Sequence, residues 1–240
     1  MAHGVVSLKS VYARYNGRDW VLKDVTLELE EGIHVVLGGS GSGKTTLLRV
    51  IAGLIGHVYN GEVRGIVSVN GRAVLVPQLF DAFILMPTPR QELMYSLSTH
   101  VSGEHELRSE TLRVAKEFGL TYLLDRPVHK LSSGERQRLA IASALSLNPD
   151  ILMLDEPLAH LDKEMVDKTL ESLRSRGGRA LIVAEHRAKT LLLNPSTLSI
   201  LEGGQLKCTG TVNDCIDLLP LYHRVVAGVE TYSEAPGCLV

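Results

Sequence analysis

The stretch Gly38-Gly39-Ser40-Gly41-Ser42-Gly43-Lys44-Thr45 decides how the rest of this chain is read. It fits the pattern G-x-x-x-x-G-K-[ST], whose glycines let the backbone turn its N–H groups onto phosphate oxygens. Ile33-His34-Val35-Val36-Leu37 before it reads as a short buried strand, and Thr46-Leu47-Leu48-Arg49-Val50-Ile51-Ala52 after it as the start of a helix. A strand, a glycine-rich turn and a helix N-terminus together make an anion cradle, to which the helix adds partial positive charge. Lys44 is expected to bridge the terminal phosphates of a nucleotide as a point charge, and Thr45 to offer its hydroxyl to Mg2+.

Two further stretches carry chemistry. In Ile151-Leu152-Met153-Leu154-Asp155-Glu156-Pro157 an apolar strand ends in two acids. That places them at the carboxyl edge of the sheet, where open α/β folds bind ligands. Asp155 is expected to hold Mg2+ through its water shell, and Glu156 to polarise a water for attack on a γ-phosphate. The stretch Leu131-Ser132-Ser133-Gly134-Glu135-Arg136-Gln137-Arg138 opens a helix, with Ser132 as N-cap and Glu135 completing a capping box.

Composition narrows the class. The 240 residues are 45% hydrophobic and 22% charged, as in globular proteins, and long enough for one large α/β domain or two small ones. A net charge of −2 and a pI near 6.5 leave no basic footprint, so nucleic acid is not an expected partner. Cys208, Cys215 and Cys238 are odd in number, widely spaced and without C-x-x-C. That pattern argues against a disulfide framework or a zinc site and fits a reducing cytosol. Met1-Ala2-His3-Gly4 leads directly into a strand-like pattern, without the marks of a signal peptide. No apolar run reaches the roughly 18 residues that span a bilayer. The longest candidate, Ala73 to Met86, is interrupted by Pro77, Gln78 and Asp81.

The remaining pattern alternates strands and helices. Val5 to Tyr12 and Val21 to Leu29 read as strands, with Asn16-Gly17-Arg18-Asp19 as a turn. Gly65–Val69 and Arg72–Val76 read as two more, joined by a hairpin turn at Asn70-Gly71. From Pro89 to Arg126 the pattern is helical, and Ser132–Leu147 is a strong helix. Then come strand Ile151–Leu154, helix Lys163–Arg176, strand Ala180–Ala184 and a final pair, Leu198–Leu201 and Gln205–Cys208. Such alternation implies a parallel sheet.

The helix opened by Leu131 to Arg138 also resembles the L-S-G-G-Q signature of the ATP-binding cassette family, and the resemblance extends over nearly the whole chain. Tyr15 stands where that family places an aromatic that stacks on adenine. Gln78, after Val74-Leu75-Val76-Pro77, matches its glutamine loop. Leu158-Ala159-His160-Leu161-Asp162 resembles its S-A-L-D loop, with Asp162 as the aspartate, and His186 matches its switch histidine. Ser133 replaces a signature glycine, Glu135 replaces the usual glutamine, and Arg187 stands where aspartate is usual. Glu185-His186-Arg187, Gln78-Leu79-Phe80 and Pro89-Arg90-Gln91-Glu92-Leu93 are similar to ATPases of energy-coupling-factor importers, which take up vitamins or metal ions.

The resemblance implies a single P-loop NTPase domain: a mixed α/β sheet with flanking helices, an N-terminal antiparallel β subdomain and an inserted α-helical subdomain. Its core would be about 1–78 and 148–240, its helical part about 79–147. It implies ATP bound with Mg2+ by Tyr15, Gly38, Gly39, Ser40, Gly41, Ser42, Gly43, Lys44, Thr45 and Thr46. Ser132, Ser133, Gly134, Glu135 and Asp162 would complete the nucleotide site, with the signature meeting ATP held by a second copy or a related ATPase chain. Thr45, Gln78 and Asp155 would face the metal. Catalysis would fall to Glu156, His186, Gln78 and Lys44. Transmembrane permease subunits would be separate chains, and this one would sit on the cytoplasmic face of the membrane. A soluble cassette ATPase powering an assembly such as iron–sulfur cluster building is the alternative.

Overall fold

The computed structural model describes residues 4–157, 171, 179–186 and 188–219. Apart from Glu171, the expected helix Lys163–Arg176 lies outside the described residues, as do Asp162 and Arg187. The chain divides into two units, Met1–Val69 with Ile182–Val240 and Asn70–Leu181.

In the first unit, β1 (Val6–Tyr15) lies between β2 (Leu22–Leu29) and β4 (Gly61–Val69), antiparallel to both. Val6, Leu8, Val11 and Ala13 of β1 are buried, the inward half of a strand with one wet face. The second ladder of this unit holds the phosphate loop. Strand β3 (Gly32–Leu37) runs parallel to β8 (Thr197–Glu202), and β9 (Gln205–Gly210) closes antiparallel on β8. Val35, Val36 and Leu37 are buried in succession, as in strands covered on both faces. Helix α1 (Lys44–Ile51) follows, with Leu47, Leu48, Val50 and Ile51 turned inward.

In the second unit, β5 (Ala73–Val76) runs parallel to β6 (Ile151–Asp155). Between them in the chain come three helices: α2 (Pro89–Leu97), α3 (Glu104–Glu117) and α4 (Ser133–Ser146). Thr88 caps α2 and Pro89 occupies its first turn, where a missing N–H costs nothing. Helix α2 packs on both α3 and α4, and its Leu93 and Leu97 are buried. The division between units falls within β7 (Ala180–Glu185), every residue of which is buried. The architecture is the expected one: mixed α/β, parallel-rich, with an antiparallel N-terminal sheet and an inserted run of helices. Among the described residues no helix is long and apolar enough to cross a membrane.

Two expectations are corrected. Asn70-Gly71 closes no hairpin, because β4 pairs with β1 whereas β5 pairs with β6. Asp150 shapes the turn instead: it accepts the Arg72 N–H at 2.8 Å, and a Cβ on Gly71 (φ 120°) would meet its side chain. Cysteine spacing also misleads, since Cys208 and Cys215 are joined by a disulfide. The chain turns back after β9, and the tight turn at Thr211–Cys215 brings their Cα atoms to 5.7 Å. A separation of seven residues matches no standard motif, so the pair is invisible to motif reading.

Candidate nucleotide site

The phosphate loop is shaped by what its glycines stand against. A Cβ on Gly38 would lie 2.3 Å from the Leu201 carbonyl and 2.5 Å from Ser42 Oγ, so no larger residue fits there. Gly43, the N-cap of α1, has φ 108°, a conformation that side chains resist. Its carbonyl accepts the Leu47 N–H at 2.8 Å, which starts the helix. Lys44 is buried, and its ammonium donates to the Gly38 carbonyl at 2.8 Å and the Gly39 carbonyl at 3.1 Å. A buried cation thus lies within the loop, held by neutral carbonyls. Phosphate oxygens would make shorter, charge-assisted bonds with it. Gly39, Ser40 and Gly41 are exposed, Thr45 is half-buried and Thr46 is buried.

Tyr15 ends β1 within the same unit. Its hydroxyl lies 3.4 Å from Thr46 Oγ1, so the structure brings the expected base platform to the helix that follows the loop. His186 follows the buried Glu185. Its Nδ1 lies 3.1 Å from Glu185 Oε1, and the same oxygen accepts its backbone N–H at 3.1 Å. A cavity of about 350 Å³ lies beside the loop, lined by Gly38, Gly39, His186, Leu201, Lys207 and Leu218 among others.

The second unit assembles the acids. Asp155 is 4% exposed at the end of β6, and Glu156 follows it with φ 51°. That left-handed turn is uncommon for glutamate and marks a position set by its surroundings. Gln78 Nε2 donates to Glu156 Oε2 at 2.9 Å, uniting two residues 78 positions apart. The capping box of α4 is formed as expected. Ser132 Oγ accepts the Glu135 N–H at 3.3 Å, and Glu135 Oε2 accepts the Ser132 N–H at 2.7 Å. The Ser132 N–H holds the Glu135 carboxyl below the ordinary carboxylate range, keeping a negative charge at the helix N-terminus. Ser132 and Ser133 are exposed and Gly134 is half-buried.

A profile of the ABC transporter family matches residues 22–159. The chain belongs to this family. ABC transporter ATP-binding proteins are ATPases, and the relatives carry such names. An energy-coupling factor transporter ATP-binding protein, EcfA1 of Thermotoga maritima, is 37% identical over 78% of this chain and 74% of its own. An ABC transporter ATP-binding protein of Archaeoglobus fulgidus is 32% identical over 76% of this chain and 80% of its own. One from Treponema denticola is 30% identical over 89% of this chain, which spans only 47% of that longer protein. Among solved structures, CbiO1 of Clostridium perfringens, part of the ABC transporter complex cbiONQ, superposes with a TM-score of 0.72 at 22% identity. It covers 90% of this chain and 91% of its own. An ATP-binding subunit of an ABC transporter reaches 0.73 at 23% identity, with 94% of each chain covered. At these identities the likeness is one of fold.

Three contacts of this cassette are not legible from motifs. Arg49, in the last turn of α1, donates to the Tyr15 hydroxyl at 2.9 Å. Gln137, buried in α4, donates to the Pro157 carbonyl at 2.6 Å and so ties the signature helix to the residue after Glu156. Glu92, buried in α2, accepts the Leu85 and Met86 N–H groups at 2.9 and 2.8 Å and the Ser143 hydroxyl at 2.8 Å. Arg49 stands out in the sequence as a cation within the apolar run Leu47–Ala52, whereas Gln137 and Glu92 lie among charged and polar neighbours that give no such signal.

Proposed function

We propose that this cassette is the ATP-hydrolysing motor subunit of a transporter whose membrane path is built by separate chains. The observation that carries this reading is the Gln78–Glu156 hydrogen bond. Gln78 begins a segment whose next residues include Leu79 at 79% and Leu85 at 66% exposure, large apolar side chains that cost free energy in water. A partner helix covering them would act on the residue bonded to the candidate base.

The residues suit a magnesium nucleotide: the buried Lys44 ammonium would pair with phosphate oxygens, while the Thr45 hydroxyl and the Asp155 carboxylate are the hard oxygen donors that Mg2+ takes. When bound, Mg2+ neutralises charge on the β- and γ-phosphate oxygens. The chain's own residues supply the rest. Tyr15 stacks on the base. The loop from Gly38 to Thr46 wraps the phosphates, and Lys44 bridges them. Gln78 aims the Glu156 carboxylate, which takes a proton from the attacking water. His186, positioned by Glu185, steadies the γ-phosphate. Ser132 to Glu135 and Asp162 act on the nucleotide of a second subunit, so two ATPase chains close around two ATP and part after hydrolysis. The helical part, about 79–147, moves with Gln78, and the pair sits on the cytoplasmic face of the membrane. Likeness to EcfA1 supports an importer of the energy-coupling-factor type. The relatives' names favour transport over cluster assembly.

Purification of the tagged chain from detergent-solubilised membranes tests this. Wild type is expected to bring down membrane-spanning subunits, and Leu85→Asp to lose most of them while keeping basal ATPase. Recovery of soluble proteins alone, or equal recovery with both, overturns the docking claim.

A further inference from the structure

Tyr15 is held from two sides by groups outside every recognised motif. Arg49 Nη1 donates to its hydroxyl at 2.9 Å. The Arg49 guanidinium is itself seated over the Tyr59 ring, 4.2 Å from the centroid, and lies 5.9 Å from the Tyr15 centroid. The two tyrosine rings meet edge to face at 6.4 Å and 84°. Thr46, at 3.4 Å from the same hydroxyl, is three residues before Arg49 and so shares its helix face. Opposite Tyr15 in the β1–β4 ladder stands Gly61, where a Cβ would lie 2.4 Å from the Arg14 carbonyl. The strands can therefore approach closely at the level of this cluster.

An isolated tyrosine at the end of a strand loses rotational entropy whenever a base stacks on it. Here that cost is met in advance. The arginine fixes the hydroxyl end, and Tyr59 fixes the arginine by a cation–π contact. Helix α1 has Lys44 and Thr45 in its first turn and Arg49 in its last. We propose that Arg49 is a positioning residue for the nucleotide base: it locks the Tyr15 ring in its stacking pose and links base binding to the helix that holds the phosphates. The proposal rests on the reading of Tyr15 as the base platform.

The test is the ratio of affinities of the full chain for Mg-ATP and for magnesium tripolyphosphate, which has no base. Tyr15→Ala is expected to lower the ratio about tenfold, as loss of a stacking aromatic does. Arg49→Met keeps the length of the side chain without its charge. It is expected to lower the ratio about fourfold, to leave tripolyphosphate binding unchanged, and to add nothing in the Tyr15→Ala background. Arg49→Lys, which keeps a cation and a donor, should restore most of the ratio. Tyr59→Leu, with Arg49 intact, should lower it by a smaller factor, and serves if Arg49→Met does not fold. If Tyr15→Ala leaves the ratio unchanged, the base-platform reading fails, and the proposal with it. If Tyr15→Ala lowers the ratio but Arg49→Met does not, or weakens both ligands alike, the proposal alone is overturned.

Discussion

Lys44 is the one lysine or arginine buried among the described residues. An ammonium at 5% exposure is costly to desolvate, and two backbone carbonyls offset only part of that cost. That imbalance supports the proposed role of the loop as the holder of phosphate oxygens. Lys44→Ala is expected to lose ATP affinity by tenfold to about a hundredfold, the worth of one or two charge-assisted hydrogen bonds. Titration with a fluorescent ATP analogue measures it. Unchanged affinity would mean that the lysine is a structural clamp for Gly38 and Gly39 and no phosphate ligand. Glu156 shows the same economy at the other acid-bearing edge, its φ of 51° and its bond from Gln78 both fixing where the carboxylate points.

Among elements, the α2–α4 contact is built around one carboxylate. Glu92 accepts from Leu85, Met86 and Ser143, and Ser143 Oγ also lies 2.7 Å from Ser96 Oγ. Replacing Glu92 by Leu would leave two backbone N–H groups and a hydroxyl without their acceptor, at a cost of about 3 kcal/mol. Urea unfolding would show it as a lowered midpoint, and Glu92→Gln, which keeps an acceptor, should lose about half as much. An unchanged midpoint in Glu92→Leu would mean that water replaces the carboxylate freely. The elements themselves were largely legible in the chain. The glycine loop between β3 and α1, the capping box of α4 and the acid-ended β6 each declare themselves within about ten consecutive residues, because local backbone chemistry writes them. What escaped is non-local. The link between Asn70 and Arg72 has the composition of a hairpin turn, but β4 pairs with β1 and β5 with β6, and the Asp150 carboxylate that holds the Arg72 N–H is distant in sequence. The hold of Arg49 on Tyr15 spans 34 residues, and the disulfide at Cys208 and Cys215 depends on how the turn after β9 folds back.

At the scale of the whole molecule, His34 sets a pH dependence. It is buried at 2% exposure in β3, and its Nε2–H donates to the Glu30 carbonyl at 2.8 Å. Burial is the main cause that pushes its pKa below the ordinary histidine value of about 6.5. The folded state therefore resists a proton that the unfolded state accepts. This contribution to stability is complete above about pH 6.5 and is lost as pH falls through the lowered folded pKa. Melting temperature is expected to drop between pH 7 and pH 5, and His34→Gln to flatten that part of the profile. An identical slope in the variant would remove His34 as the cause. Folding, however, only sets the stage for what the cassette is proposed to do, which is to close on a second subunit around ATP and reopen on hydrolysis. The most direct test is Glu156→Gln, measured for ATP turnover and for mass in solution with ATP and Mg2+. The amide keeps the shape of the side chain but accepts no proton. The account predicts turnover reduced at least about a hundredfold, together with a stable ATP-dependent dimer. A variant that stays monomeric with ATP and hydrolyses it at the wild-type rate would contradict it.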